Sequence, residues 1–557
     1  MPINFRSNKL PPAFLVLVAV AGVHGLLLLN DGVYWDDWLI LKAHETGDAC
    51  SIQEWFTESG VPLVGYIHRC MGSFPNTVFA YKATAFCAVV ASALLIYANM
   101  TLWHVTTPAQ NVAVAIFSVS YPAFRVHMLL VMLPFLLCHA VFWAGMLFVG
   151  LGFHSSHRQR GLLQTMAAVV TLCFGFTINS LLLFYMGLMT VLLLLRQTRS
   201  GTEVPSHVGR ETIVSYVILL MLPFQYWVFK RWVWPVSGLY QNYNTLQFCV
   251  SNVVEMGRRF VDSSIIAQFS EMCRWFTTHR LVALGFVLGS AVAACWGAFV
   301  GDVPRGVERA VGLVVCGAGL LVCAIAPYAL VGKAPAIHGV NTRHALLVGF
   351  PMALILVGGL SLLCACQFQW VRWCQRFLLL MMFNCFWIAQ VTNYLGWQGL
   401  WVRDRSVIVN LSAIKQARNY SVYWIHESFW LGDKTWDQQS HPFYAWASIF
   451  RRAWGGESRI GLHAWGDPAS GLNPLQSPEF PLDPQLFFVP RYSLGDFNPA
   501  GPQAVLSIEE GIPALSSMNL CARYLFYRHL QPSGLNAFLR RISMVHVTPV
   551  LRRKADK

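Results

Sequence analysis

The chain has 557 residues, of which 55% are hydrophobic, 14% aromatic and only 12% charged. A soluble globular chain carries about 25% charged residues, so this composition excludes a string of soluble domains and points to a polytopic α-helical membrane protein. The net charge of +14 is spread over short loops and the C-terminal segment, with no basic stripe interleaved with aromatics, which argues against a nucleic-acid partner.

In chain order, a short basic lead (Arg6, Lys9) precedes an apolar run from about 13 to 29. The run continues past Ala19-Val20-Ala21, a candidate cleavage site, and so reads as an uncleaved first span. Further spans are predicted near 78–99, 109–121, 129–153, 161–178, 181–195, 211–229, 281–299, 310–331, 345–365 and 377–395, about eleven in all. A cytoplasmic N-terminus puts Arg158/Arg160, Arg196/Arg199/Arg210, Arg305/Arg309 and Arg372/Arg376 together on that side, as the positive-inside rule requires. The outer side then receives loops 30–77, 121–128, 230–280 and 332–344 and the tail. Loop 230–280 carries Lys230, Arg231, Arg258, Arg259, Arg274 and Arg280 against the rule; either its length exempts it or its charge has a purpose. Cys50 with Cys70 and Cys249 with Cys273 each share an outer loop, so a disulfide within each is compatible with an oxidising face. Cys364 and Cys366 end an apolar span and read as packing.

The transmembrane part is expected over 1–395, and 396–557 is expected to form a small extracytoplasmic α/β domain. Its pattern predicts a helix near 401–418, strands at 421–425, 459–464, 503–508 and 542–549, and a helix at 443–454. Trp430, Trp436, Trp446, Trp454 and Trp465 read as core before sugar-stacking surface.

The stretch after the first span, Asn30-Asp31-Gly32-Val33-Tyr34-Trp35-Asp36-Asp37-Trp38, holds the densest chemistry. Tyr34, Trp35 and Trp38 suit interface anchors. Adjacent carboxylates at that depth are costly unless they face a hydrated cavity, a cation or a donor, although capping a short interfacial helix is an equally open role for Asp36 and Asp37. An interfacial helix is predicted over 51–59, followed by His68 and Arg69, which either return toward the carboxylates or, for Arg69 and for Lys82 in the next span, snorkel. Two outer loops offer basic groups. One carries Arg125 and His127 behind Pro122; the other carries Lys333, His338, Arg343 and His344 before span ten. Arg343 and His344 suit an anion site and an interfacial anchor equally, while Lys333 and His338 suit solvated loop positions.

An aspartate pair in the first outer loop, an interfacial helix, many further spans and an outer C-terminal domain resemble the GT-C superfamily of polyprenyl-phosphate-sugar-dependent glycosyltransferases. The string Tyr34-Trp35-Asp36-Asp37-Trp38 is most similar to that of bacterial members that modify surface polysaccharides. The resemblance implies an enzyme of the bacterial inner membrane with its site on the outer face. It would carry out inverting transfer from a polyprenyl-phosphate sugar donor to a glycan, lipid or protein acceptor. Asp37 or Asp36 would be the base, with Asp37 slightly preferred, and Arg343 would hold the donor phosphate. His344, Arg125, His68, Arg69 and Lys333 complete the candidate substrate-binding set. Some relatives use magnesium or manganese. His44, Glu45, Asp48 and His68 lack the spacing of a zinc site, and carboxylates with water would suit magnesium or manganese, so metal use stays open. An O-antigen polymerase or ligase is the alternative enzyme, and a transporter or flippase for a lipid or small solute is the non-enzymatic one.

Overall fold

A computed structural model describes residues 11–104, 106–155, 157–199, 210–241, 245–246, 249–295, 307–363, 369–428, 441–456, 459–463, 501–512 and 516–550. Arg305, Cys364, Cys366, Trp430, Trp436 and Trp465 lie outside these residues.

The apolar first helix, α1 (Pro12–His24), starts at a proline whose missing N–H costs nothing there. A 3-10 turn over Gly25–Leu29 extends it to the site loop. Three short helices follow: α2 (Asp37–Glu45), α3 (Ala49–Glu58), with the Asp48 side chain accepting from Ser51 N, and α4 (Pro62–Gly72). The bundle is built by α5 (Thr77–Leu102), α6 (Pro108–Ser120), α7 (Leu133–His154), α8 (Arg158–Gly175), α9 (Ser180–Arg199) and α10 (Arg210–Val233). A capping box between Thr107 and Gln110 fixes the start of α6. Next come α11 (Val250–Val261) and α12 (Ala267–Thr278), joined by a π-turn over Asp262–Ile266, then α13 (Arg280–Cys295), α14 (Val307–Ala329) and α15 (Gly349–Leu363). α7 packs along α5 and α8, and α14 along α15 and α9. At Gly349 an added Cβ would lie 2.0 Å from the Ser118 carbonyl oxygen, so glycine permits α15 to meet the end of α6.

The eleven predicted apolar stretches fall on helices where they are described, and among the described residues five helices are long and apolar enough to cross a membrane: Pro12–Leu29, Thr77–Leu102, Leu130–His154, Val307–Ala329 and Trp370–Ala413. A sixth is reached if Val250–Thr278 and Val282–Ala294, bent by 106°, form one broken span. The 13 residues of α6 and the 15 of α15 rise about 20 and 22 Å, short of a hydrocarbon core of about 30 Å.

The long helix α16 (Gln369–Ala413) runs without a break through position 395, where the composition changes. No linker separates the membrane bundle from the C-terminal region at that point; one rod serves both. Beyond it a four-stranded sheet has the order β2-β1-β3-β4. β1 (Val422–Glu427) is central and parallel to β2 (Ile460–His463) and β3 (Gln503–Glu510), and β4 (Ser543–Pro549) closes antiparallel on β3. Val422, Tyr423, Trp424 and Ile425 are all buried, as expected for a parallel strand covered on both faces. α17 (Phe443–Trp454) lies between β1 and β2 in sequence, while α18 (Ser517–His529) and α19 (Leu535–Ile542) lie between β3 and β4. α16 packs against α17, α18, α19 and β4. Trp446 and Trp454 flank Phe450, with ring centroids 5.8 and 5.5 Å from it, and so belong to this core. Cys50, Cys70, Cys249 and Cys273 are exposed free thiols, not disulfides.

Candidate functional site

The loop between the 3-10 turn and α2 is wound by its own side chains. Asn30 Oδ1 accepts from Gly32 N at 2.9 Å, and Asn30 Nδ2 donates to the Tyr34 hydroxyl at 2.9 Å. Tyr34 packs on Trp397 of α16, centroids 4.9 Å apart. The next residue, Trp35, has φ +49°, a left-handed conformation that costs a non-glycine residue on the order of 1–3 kcal/mol and tends to mark functional loops.

Asp37 is fully buried. Its Oδ1 accepts from Val131 N at 2.9 Å and its Oδ2 from Tyr34 N at 3.2 Å, so it ties the site loop to the start of α7. Burial pushes the carboxyl pKa up, opposed by the Lys82 charge and by the backbone N–H groups of Leu130, Val131 and Tyr34. Lys82, expected to snorkel, is instead 1% exposed. It donates to the Met128 carbonyl, and its Nζ sits 5.2 Å from the Tyr34 ring centre. Asp36, by contrast, is half-buried and accepts from the Tyr444 hydroxyl of α17 at 2.5 Å. It occupies the N-cap position of α2 without making the side-chain cap.

The Trp35 ring carries the Arg343 guanidinium, 4.6 Å from its centre. Arg343 Nε donates to His344 Nε2 at 3.4 Å, and His344 Nδ1 donates to the Ala334 carbonyl at 3.3 Å, which describes a neutral imidazole. Burial, then the Arg343 charge, pushes His344 down to about 4, and the same two causes bring half-buried Lys333 down to about 8. Arg343 thus gathers the Trp35 ring, the buried His344 imidazole and the Lys333 charge around it.

The other predicted residues go elsewhere. Arg125 is 6% exposed and fully committed. Its Nε donates to the Pro122 carbonyl at 2.9 Å, its Nη1 to His338 Nδ1 at 2.8 Å, and its Nη2 to Gln268 and Glu271. His338 Nε2 completes the cluster on Glu271 Oε1 at 2.5 Å. Arg125 therefore latches loops 121–128 and 332–344 to α12, and His338 is no solvated loop residue. His68 turns into the protein, its Nδ1 2.8 Å from the Tyr81 hydroxyl and its ring stacked on Phe56. Burial pushes it down to about 3. Arg69 is exposed.

Among the described residues no three His, Cys, Asp or Glu side chains converge as a metal cage. His44 bonds Tyr81 at 3.2 Å, Glu45 pairs with Arg451 and Arg452 of α17, and Asp48 caps α3. The residue types therefore match four candidate ligands, but His44 and His68 share the Tyr81 hydroxyl while Glu45 and Asp48 are held elsewhere.

Three contributions were not apparent in the sequence. Tyr444 reaches Asp36 from 408 positions away. Asp31 is clamped by Tyr524 at 2.7 Å and Arg528 at 3.1 Å of α18. Glu271 neutralises Arg125. Lys82 did carry a signal, since it is a lone charge inside an otherwise apolar helix.

No family model matches the chain, and no protein of curated function or solved structure is significantly similar to it.

Proposed function

We propose that the protein is a membrane glycosyltransferase that takes a sugar from a polyprenyl-phosphate donor at the outer face of a bacterial inner membrane. The observation that carries this reading is the Arg343 guanidinium on the Trp35 ring, with Lys333 beside it and the Asp36 carboxylate next in the chain. In the reaction, an acceptor hydroxyl attacks the anomeric carbon as the bond to the donor phosphate breaks. Asp36 takes the hydroxyl proton, and Arg343 with Lys333 receives the charge that develops on the departing polyprenyl phosphate. Tyr444 orients Asp36. Asp37, with both oxygens held by backbone N–H groups, is a positioning residue that fixes the loop and leaves the base role to its neighbour.

The motif residues alone slightly favoured Asp37 as base; full burial and the two backbone bonds reverse that preference. The C-terminal domain, tied to the site by Tyr444 and Asp31, stands on the outer face with it. The test is transfer from a polyprenyl-phosphate sugar in vesicles. Asp36→Asn lowers transfer by about 10²–10⁴-fold in a protein that still retains the lipid carrier, whereas full activity in Asp36→Asn would overturn the assignment.

A further inference from the structure

α18 carries apolar residues on its inward face and, interspersed with polar ones, on its outward face. One face does pack inward: Leu520, Cys521 and Tyr524 are each 1% exposed or less. The opposite face repeats every four residues as Met518, Ala522, Phe526 and Leu530, and it is open. Met518 is 63%, Phe526 48% and Leu530 76% exposed, and Ala522 is exposed as well. Exposed Asn519 and His529 fall within this stripe, exposed Arg523 borders it, and exposed Arg540 and Arg541 lie on α19, which packs against α18.

The height of this stripe can be read from its contacts. Arg528 Nη1 donates to the carbonyl of Leu29, the last residue of the first candidate span, at 3.3 Å. Cys521 Sγ donates to the Leu395 carbonyl of α16 at 3.3 Å. α16 is about 66 Å long, twice the thickness of a hydrocarbon core, so it leaves the bilayer part-way along. The Trp387 Nε1 bond to Gly22 O at 2.9 Å and the contact of Tyr394 with His24 pair it with the end of α1. Leu395 therefore sits level with Leu29, at the boundary of the membrane that α1 spans.

We propose that this outer stripe of α18 is a membrane-docking surface. Met518, Ala522, Phe526 and Leu530 seat in the lipid interface, and Arg523, Arg540 and Arg541 face the headgroup phosphates. Lipid is the occupant because the helix that carries the stripe touches the end of the span at Leu29, itself 47% exposed, and because exposed Arg523 borders the stripe. Docking would hold the C-terminal domain on the membrane beside Asp31. The inference rests on the membrane insertion of α1 and α16, not on the reaction proposed above.

The test uses the full chain in nanodiscs of phosphatidylcholine and phosphatidylglycerol, with a phospholipid carrying a photoreactive diazirine on its acyl chain, followed by peptide mapping. Adducts on Met518, Phe526 and Leu530 at yields comparable with those on Leu17 and Val18 of α1 are expected. The double variant Phe526→Lys, Leu530→Lys should lose the α18 adducts while α1 stays labelled. Labelled α1 with unlabelled α18 in the native protein would overturn the proposal. Absence of label from α1 itself would instead contradict membrane insertion.

Discussion

Replacing Glu271 by Gln keeps the shape of the Arg125 latch and removes its only carboxylate. Arg125 has 8% of its side chain exposed and Glu271 22%. Breaking one partner of a buried ion pair costs about 3–5 kcal/mol because the other charge is left uncompensated. Here Gln268, the Pro122 carbonyl and His338 still accept from the guanidinium, and Glu271 is partly wet, so the cost falls to about 2–3 kcal/mol. The new amide also presents an N–H toward either His338 or Arg125, both of which donate. In a chain of this length that cost lowers the apparent melting midpoint by only a few degrees, so detergent-solubilised proteins must be compared at one scan rate, since unfolding is irreversible in such systems. Arg125→Met should cost a similar amount, and the double variant should be scarcely worse than either, with a coupling energy of about 2 kcal/mol. If Glu271→Gln left the midpoint unchanged while Arg125→Met lost lipid-phosphate binding, the latch would be refuted and Arg125 returned to the anion site.

The two aspartates should separate by assay. Asp36→Asn lowers transfer by about 10²–10⁴-fold, as removal of a general base does, with an unchanged melting midpoint. Asp37→Asn lowers the midpoint, because an amide cannot accept from both the Val131 and Tyr34 N–H groups. Equal stability of the two variants would contradict these roles. His344, held neutral by burial and Arg343, contributes stability above its unfolded pKa near 6.5 and loses it as pH falls toward about 4. The His344→Asn variant should therefore show a flatter fall in midpoint across that window; an unchanged slope would count against a buried neutral imidazole. Arg343→Lys should not restore what Arg343→Ala loses, since an ammonium lacks the planar face that stacks on Trp35 and the two-pronged fit to phosphate.

Much of the architecture was legible because its signals are local. The helix predicted at 443–454 is the helix found, begun after Pro442 and stopped at Gly455, whose φ of +71° ends the helical path. The strand predicted at 503–508 lies within β3, and the interfacial helix predicted at 51–59 is α3 shifted by two residues at its start and one at its end. An apolar run alone does not report whether its helix is long enough to cross, as the 13-residue α6 shows. Several site contacts were hidden by sequence distance. Glu271 meets Arg125 across 146 positions and His338 meets Arg125 across 213. Asp36 and Asp37 are chemically identical neighbours, told apart by Tyr444 on the one and by the Val131 and Tyr34 N–H groups on the other.

The central claim is that the Trp35–Arg343 arrangement holds a polyprenyl phosphate. Native mass spectrometry of the protein extracted gently from its own membrane tests it most directly, with Arg343→Ala measured alongside. The account predicts a retained polyprenyl phosphate or its glycosylated form in the native protein and its loss in the variant. A native protein that keeps other lipids but never a polyprenyl carrier, or a variant that keeps the carrier undiminished, would contradict it.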